Sequence, residues 1–404
     1  MRKFLSFPEG FLWGSATSSY QVEGQNINND WHLWEKDSKV PYACGKAVDS
    51  YHRFQEDFDL IKSLGQNVHR LSLEWSRIQP ARNQFNDVEI QHYRKVISSL
   101  KERNIKTIVT LHHFTNPLWF YQNDCWLNPQ APDYFLDYVN KVTNEFSDLV
   151  DYWITINEPI VYVYNSYIRG VWPPGEKSLK KTLAVVKNIT KAHLRAYDVI
   201  HNNCKQARVS IAKNMRIFSP CFNFNLGQNS IPVFIRNELF NFKFLKFLMK
   251  KKALDFIGLN YYTKDFVRFS LSNIFGKDCS SLHHKCRRNS LGWNVYPEGI
   301  YKILMNLKGL NLPIIITENG TTEKEDSLYE DYLKKHLFYI GKTLQKRVNV
   351  IGYLWWSTID NFEWEQGFNA KFGLFAVDKD LNRQIKPFAY IYKDICNKNM
   401  IEYI

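Results

Sequence analysis

Eight short apolar runs recur along the chain, and the stretches between them carry apolar residues at helical spacing. The runs are Phe11–Trp13, Asn67–Leu73, Lys106–Leu111, the stretch from Tyr152 that ends at Glu158, Arg208–Ala212, Leu254–Leu259, Ile314–Glu318 and Val350–Trp355. Helical spacing is clearest over 50–64, 90–100, 132–150, 179–202, 298–307 and 330–346. Strands that alternate with helices lie parallel, because each helix carries the chain back to the same end of the sheet. Eight such units in 404 residues predict an α/β chain folded as a single closed (β/α)8, or TIM, barrel over residues 1–404, with any site at the C-terminal ends of the strands. No repeat, low-complexity tract or linker divides the chain.

Polar and aromatic residues gather at those strand ends. Ile314-Ile315-Ile316-Thr317-Glu318-Asn319-Gly320 reads as a buried strand stopped by an Asn-Gly turn. Glu318 at its last step must be paired, hydrogen-bonded or protonated, because an isolated buried charge is too costly. One such acid is an ordinary structural feature when an Arg or Tyr holds it. Tyr152-Trp153-Ile154-Thr155-Ile156-Asn157-Glu158-Pro159 repeats the design, however. Two strand-end glutamates, on strands 4 and 7, would face one another across the barrel mouth. Two carboxylates flanking a bond suit glycosidic cleavage, where one gives a proton and the other attacks or activates water. Arg70 on strand 2 could keep a neighbouring carboxylate ionised, and Tyr262 beside strand 6 could hydrogen-bond it.

Composition narrows the partners. Twelve Trp and 23 Tyr exceed what a core needs, and dense aromatics line grooves that stack flat ligands such as sugars. The net charge of +13 permits weak association with polyanions. The Lys and Arg residues are scattered, though, with no basic helix or RNA-binding signature, so no nucleic-acid partner is expected. No 18-residue apolar stretch suits a membrane span, and Met1–Glu9 lacks the apolar run of a signal peptide. Seven irregularly spaced cysteines (Cys44, Cys125, Cys204, Cys221, Cys279, Cys286 and Cys396) predict free thiols in a reducing compartment. The expected location is cytoplasmic, with no membrane partner, and the Asn188-Ile189-Thr190 sequon is expected to go unused. Cys279, His283, His284 and Cys286 offer zinc-ligand types at a spacing that fits no common module. His112-His113 reads as one ring facing a ligand and one packed inward. No metal or cofactor is expected, and nothing in the chain sets an oligomeric state.

Over essentially its whole length the chain resembles the family 1 glycoside hydrolases, the β-glucosidase-type barrels. Thr155-Ile156-Asn157-Glu158-Pro159 is similar to that family's acid/base motif, and Ile316-Thr317-Glu318-Asn319-Gly320 to its nucleophile motif. The block from Phe7 to Gly24 resembles its opening signature, and Trp355-Trp356-Ser357-Thr358-Ile359-Asp360-Asn361-Phe362-Glu363-Trp364-Glu365 its closing one. The resemblance implies a retaining exo-β-glycosidase acting on a terminal β-glycoside or oligosaccharide. Glu318 would be its nucleophile and Glu158 its acid/base. Arg70 and Tyr262 match the residues around the nucleophile, and Asn157 the contact to the 2-hydroxyl. Gln21, His113, Glu363 and Trp364 match the ring-hydroxyl contacts. Trp356 would be the stacking floor and Trp293 a wall on the aglycone side.

The resemblance also sets alternatives. Branches acting on 6-phosphoglycosides carry a small polar residue with nearby Lys and Tyr in the Glu363 loop, so Glu363-Trp364-Glu365 implies an unphosphorylated sugar. A non-catalytic sugar- or protein-binding barrel would be expected to lose one acid, and this chain keeps both. Two departures stand out. Phe114 occupies a position where many members have Trp. Only about 40 residues link Ala212 to Leu254, so the aglycone side is cut short, and the basic, irregular segment 273–290 is placed to cover part of the mouth.

Overall fold

The computed structural model describes residues 3–221, 226–279 and 286–403. The eight strands are β1 (Leu12–Ala16), β2 (Val68–Ser72), β3 (Lys106–His112), β4 (Tyr152–Asn157), β5 (Val209–Pro220), β6 (Ile257–Arg268), β7 (Ile314–Asn319) and β8 (Val350–Trp356). The principal helices are α1 (Ser50–Ser63), α2 (Asp87–Glu102), α3 (Ala131–Phe146), α4 (Leu179–Asn203), α5 (Lys243–Lys250), α6 (Glu298–Leu307), α7 (Asp326–Gln345) and α8 (Pro387–Lys398). Each strand pairs in parallel with its neighbours in sequence, and β8 pairs with β1 to close the ring. The predicted (β/α)8 barrel is therefore present.

The strands read as near-continuous apolar runs because both of their faces are buried. Leu12, Val68, Ile108, Ile154, Ile315 and Leu354 pack together inside the barrel. Ile314, Ile316 and Tyr353 face outward onto Leu333 and Leu337 of α7. Local signals set the helices. Asn86 starts α2 by accepting from the Val88 and Glu89 N–H groups, which satisfies two otherwise orphaned donors. Ile90, Tyr93, Ile97 and Leu100 then bury one face of that helix.

Two expectations need correction. The sequence ends strands 5 and 6 at Ala212 and Leu259, but β5 and β6 run on to Pro220 and Arg268. They keep pairing with one another beyond the mouth, from Ala212–Gly258 to Pro220–Val267. The cysteines are also not all free, because Cys221 and Cys279 form a disulfide. The β5–β6 ladder and the short strand Lys277–Asp278 paired on β6 bring the two Cα atoms to 6.0 Å, a bridgeable separation that sequence spacing does not reveal. Cys44, Cys125, Cys204, Cys286 and Cys396 are free.

An ion pair ties α1 to the C-terminal part of the chain. Arg383 Nε donates to Asp57 Oδ1 at 2.8 Å, and both side chains are buried. Asp57→Ala would leave the guanidinium uncompensated, so a loss of about 3–5 kcal/mol in unfolding free energy is expected. Urea titration measures it; a loss under about 1 kcal/mol would mean the pair behaves like an exposed one.

Candidate active site

The two glutamates reach the mouth through the same backbone device. In β7, Ile314 and Ile316 face the helices and Ile315 faces the barrel interior. Strict alternation would therefore send Glu318 outward. Register instead slips just before it, Leu259 and Asn260 of β6 lying opposite Ile316 and Glu318. The β8 side slips as well, with Tyr353 opposite Ile316 and Trp355 opposite Asn319. β4 slips against β5 between Ile154 and Asn157. Such bulges re-aim side chains, and they are frequent beside active sites. Glu158 lies one residue past the end of β4, with φ +42°. That left-handed conformation costs a non-glycine residue about 1 kcal/mol or more. Pro159 follows as the first residue of the short helix Pro159–Val163, a position its fixed φ suits.

Glu318 is held from both sides. Arg70 Nη1 donates to Oε1 at 2.5 Å and the Tyr262 hydroxyl donates to Oε2 at 2.6 Å. Burial is the largest influence on its pKa and lifts it to about 7; the Arg70 charge pulls it down, and the nearby Glu158 charge pushes it up. Arg70 is fully buried, with its remaining donors on Thr110 Oγ1 at 3.0 Å and Asn157 Oδ1 at 2.7 Å. Glu158 Oε1 accepts from Asn260 Nδ2 at 2.8 Å and Asn214 Nδ2 at 3.0 Å. One carboxylate is thus paired with a cation and the other with neutral amides, which is a means of giving two acids different roles.

Around them lies a set suited to hydroxyl groups. Asn157 Nδ2 is 3.1 Å from His113 Nε2, and burial holds the pKa of that ring well below its ordinary value. Trp356 stacks on His113 with centroids 5.8 Å apart, and its indole donates to Glu363 Oε1 at 3.0 Å. Gln21 Nε2 donates to the Phe362 carbonyl at 2.8 Å and approaches Glu363 Oε2 at 3.2 Å. Burial pushes Glu363 up to about 8, opposed by the Trp356 and Gln21 donors. Trp364 is stacked on Tyr20. Trp293, with 37% of its surface exposed, stands edge-on to Tyr262 at 5.8 Å. Gln21, His113, Asn157, Glu158, Tyr262, Trp293, Glu318, Trp356, Glu363 and Trp364 all line one cleft of about 1470 Å³.

Every candidate catalytic or sugar-contacting residue from the sequence is thus in or directly behind this cleft. Phe114 is buried against Trp172 and Trp364. His112 packs inward, its Nε2 3.0 Å from Asn116 Oδ1. Asn188 is tied mid-helix to the Trp126 and Asn128 carbonyls. His283 and His284 lie outside the described residues. Among the described residues, no group of three or more His, Cys, Asp or Glu could hold a metal. No helix among them is long and apolar enough to cross a membrane.

Sequence reasoning missed Asn214, Asn260 and Lys213. The two amides carry no motif that sets them apart from ordinary strand residues. Lys213 is buried, its Nζ 4.5 Å from the centroid of the Phe240 ring. Burial pushes it down to about 7, while the Glu158 charge pulls it up.

Comparison with known proteins bears on the whole chain. The "Glycosyl hydrolase family 1" sequence model matches residues 4–229 and 229–401. "Beta-glucosidase A" of Thermotoga maritima is 30% identical over 443 aligned residues, covering 98% of this chain and 99% of that protein. A β-glycosidase structure from Pyrococcus horikoshii superimposes with a TM-score of 0.93 at 36% identity, covering 99% of this chain and 96% of that one. The T. maritima β-glucosidase bound to glucoimidazole superimposes with a TM-score of 0.91 at 30% identity, covering 98% and 99%.

Proposed function

The chain belongs to glycosyl hydrolase family 1, and on that premise we propose how its own residues cleave a terminal, unphosphorylated β-glucoside. It is a glycoside hydrolase of the β-glucosidase type, working by the family's retaining double displacement. In the first step a Glu318 oxygen attacks the anomeric carbon, the glycosidic C–O bond breaks, and Glu158 gives its proton to the departing oxygen. In the second, Glu158 takes a proton from water as that oxygen attacks the same carbon and Glu318 leaves.

The observation that carries these roles is the contrast in partners. Arg70 and Tyr262 hold Glu318 and favour its ionised form for attack. The amides of Asn214 and Asn260 hold Glu158, so nothing cationic is bonded to the group that must donate a proton. Asn157 would meet the 2-hydroxyl, where binding strengthens at the transition state. Gln21, His113, Glu363 and Trp364 would hold the other hydroxyls above Trp356, with Trp293 beside the aglycone. Glu363 is bonded to Trp356 and Gln21 rather than to a cation, which supports a neutral sugar over a phosphorylated one. We take residues 1–404 as one catalytic unit and place it in the cytoplasm, a location that its five free thiols favour and its Cys221–Cys279 disulfide does not.

Assay on 4-nitrophenyl β-glucoside, β-galactoside, β-fucoside, β-mannoside and 6-phospho-β-glucoside tests this reading. Turnover of β-glucoside with the β-anomer released first is expected. Turnover of the phosphorylated substrate alone would overturn the assignment of Glu363, and sugar binding without turnover would favour a non-catalytic barrel.

The surroundings of Glu318 also give a pH prediction. Its ionised form is the reactive one, so kcat/KM falls as pH drops through its titration. The Tyr262 bond favours that form, and hydrogen bonds to charged groups contribute about 1.5–3 kcal/mol. Tyr262→Phe is therefore expected to move the acid limb upward by about one pH unit or more. An unmoved or lowered limb would detach Tyr262 from the titration.

A further inference from the structure

The cleft does not end at the sugar site. It runs on from Glu158 and Trp293 between α4 and the segment 237–250, closed on one side by the part of β5 that projects past the mouth. α4 carries two apolar stripes. Val185, Ile189, Ala192 and Ala196 bury its core face. Leu179, Leu183, Val186 and Leu194 form a second stripe that lines the cleft. At about 1.5 Å rise per residue this stripe is roughly 22 Å long, longer than one sugar ring. Phe240, Phe244 and Phe247, spaced by four and three residues along the facing segment, line the opposite wall.

Several of these side chains are strongly exposed: Leu179 at 62%, Leu183 at 65% and Phe247 at 43%. Clustered exposed apolar side chains at a cleft mark a binding surface, whereas scattered ones do not. Two arginines here are engaged, and Lys177, Lys187, Lys191 and Lys243 also line the cleft. Arg216 pairs with Asp265 at 3.2 Å, and Arg236 with Asp278 and the Phe275 carbonyl. The apolar walls give this extension a surface for a hydrophobic ligand, with lysine ammonium groups beside it. These walls are continuous with the position where the departing oxygen of the substrate must sit.

We propose that this extension is a binding groove for the alkyl chain of a long-chain β-glycoside, so that the preferred aglycone is an extended aliphatic tail. The proposal rests on the catalytic reading above and adds the class of leaving group. An apolar tail would lose its water against Leu183, Val186, Phe244 and Phe247 while the sugar sits between Glu158 and Glu318.

The test is a series of alkyl β-glucosides from methyl to decyl, each kept below its micelle-forming concentration, with glucose release measured on the full chain. Burial of each methylene predicts a rise in kcat/KM of roughly 2–4-fold per added carbon until the groove is filled. Leu183→Ser and Phe247→Ser, both at exposed positions, are expected to flatten that rise while leaving the methyl β-glucoside rate unchanged. A flat profile in the unaltered protein, with methyl and decyl glucosides cleaved alike, would overturn the groove and leave the catalytic reading standing. A rise that persists in both variants and requires added phosphatidylcholine vesicles would place the chain-length effect at a lipid surface and also overturn it. Failure to cleave any member, methyl β-glucoside and 4-nitrophenyl β-glucoside included, would overturn the catalytic reading and the groove with it.

Discussion

Glu318→Gln is expected to slow hydrolysis of 4-nitrophenyl β-glucoside on the order of 10⁵-fold, the scale seen when an activated nucleophile is removed. The amide keeps the shape of the side chain, so the cleft should still bind substrate. It cannot form the glycosyl ester, however, and it replaces the charge that Arg70 holds at 2.5 Å. Binding of a sugar-mimic inhibitor and the unfolding transition serve as controls for an intact fold. A residual rate above about one hundredth of the original, free of contaminating enzyme, would remove Glu318 from the role of nucleophile.

Glu158→Ala separates the second role from the first. General acid and base assistance contributes about 10²–10⁴-fold, and a loss of that size is expected for substrates whose leaving oxygen needs a proton. A 2,4-dinitrophenyl β-glucoside needs none, so its first step should survive and its second should stall, giving a burst of phenolate. Azide needs no base. It should enter the space vacated by the carboxylate, attack the glycosyl-enzyme from the face opposite Glu318 and give the β-glycosyl azide. Formation of the α-azide, or equal losses for good and poor leaving groups, would contradict the assignment.

These predictions rest on residues whose types were readable before any coordinates. Glu158 and Glu318 stand out because a carboxylate ending an apolar, β-branched run needs a reason to be there. Arg70, Tyr262 and His113 are legible for the same reason, being polar groups at the ends of runs otherwise committed to burial. The eight-fold alternation carried the architecture. Asn214 and Asn260 were not legible, because an Asn at a strand end is common and only their bonds to Glu158 distinguish them. The ends of β5 and β6 were missed because their outer halves are held by pairing with each other rather than by an apolar run. The Cys221–Cys279 bridge follows from the same pairing.

The sequence by itself determined the periodicity, and with it the barrel, the end at which a site forms and the two acids found there. Those properties follow from local patterns of burial that each segment carries alone. Only the tertiary structure decided which way the acids face. Alternation along β7 would have sent Glu318 into the helices, and register slips against both neighbouring strands turned it into the cleft. It also decided that Glu318 meets a cation and Glu158 meets amides, and that Leu179 and Leu183 on α4 face the cleft rather than the core. Register and facing depend on partners distant in the chain, and no single segment encodes them.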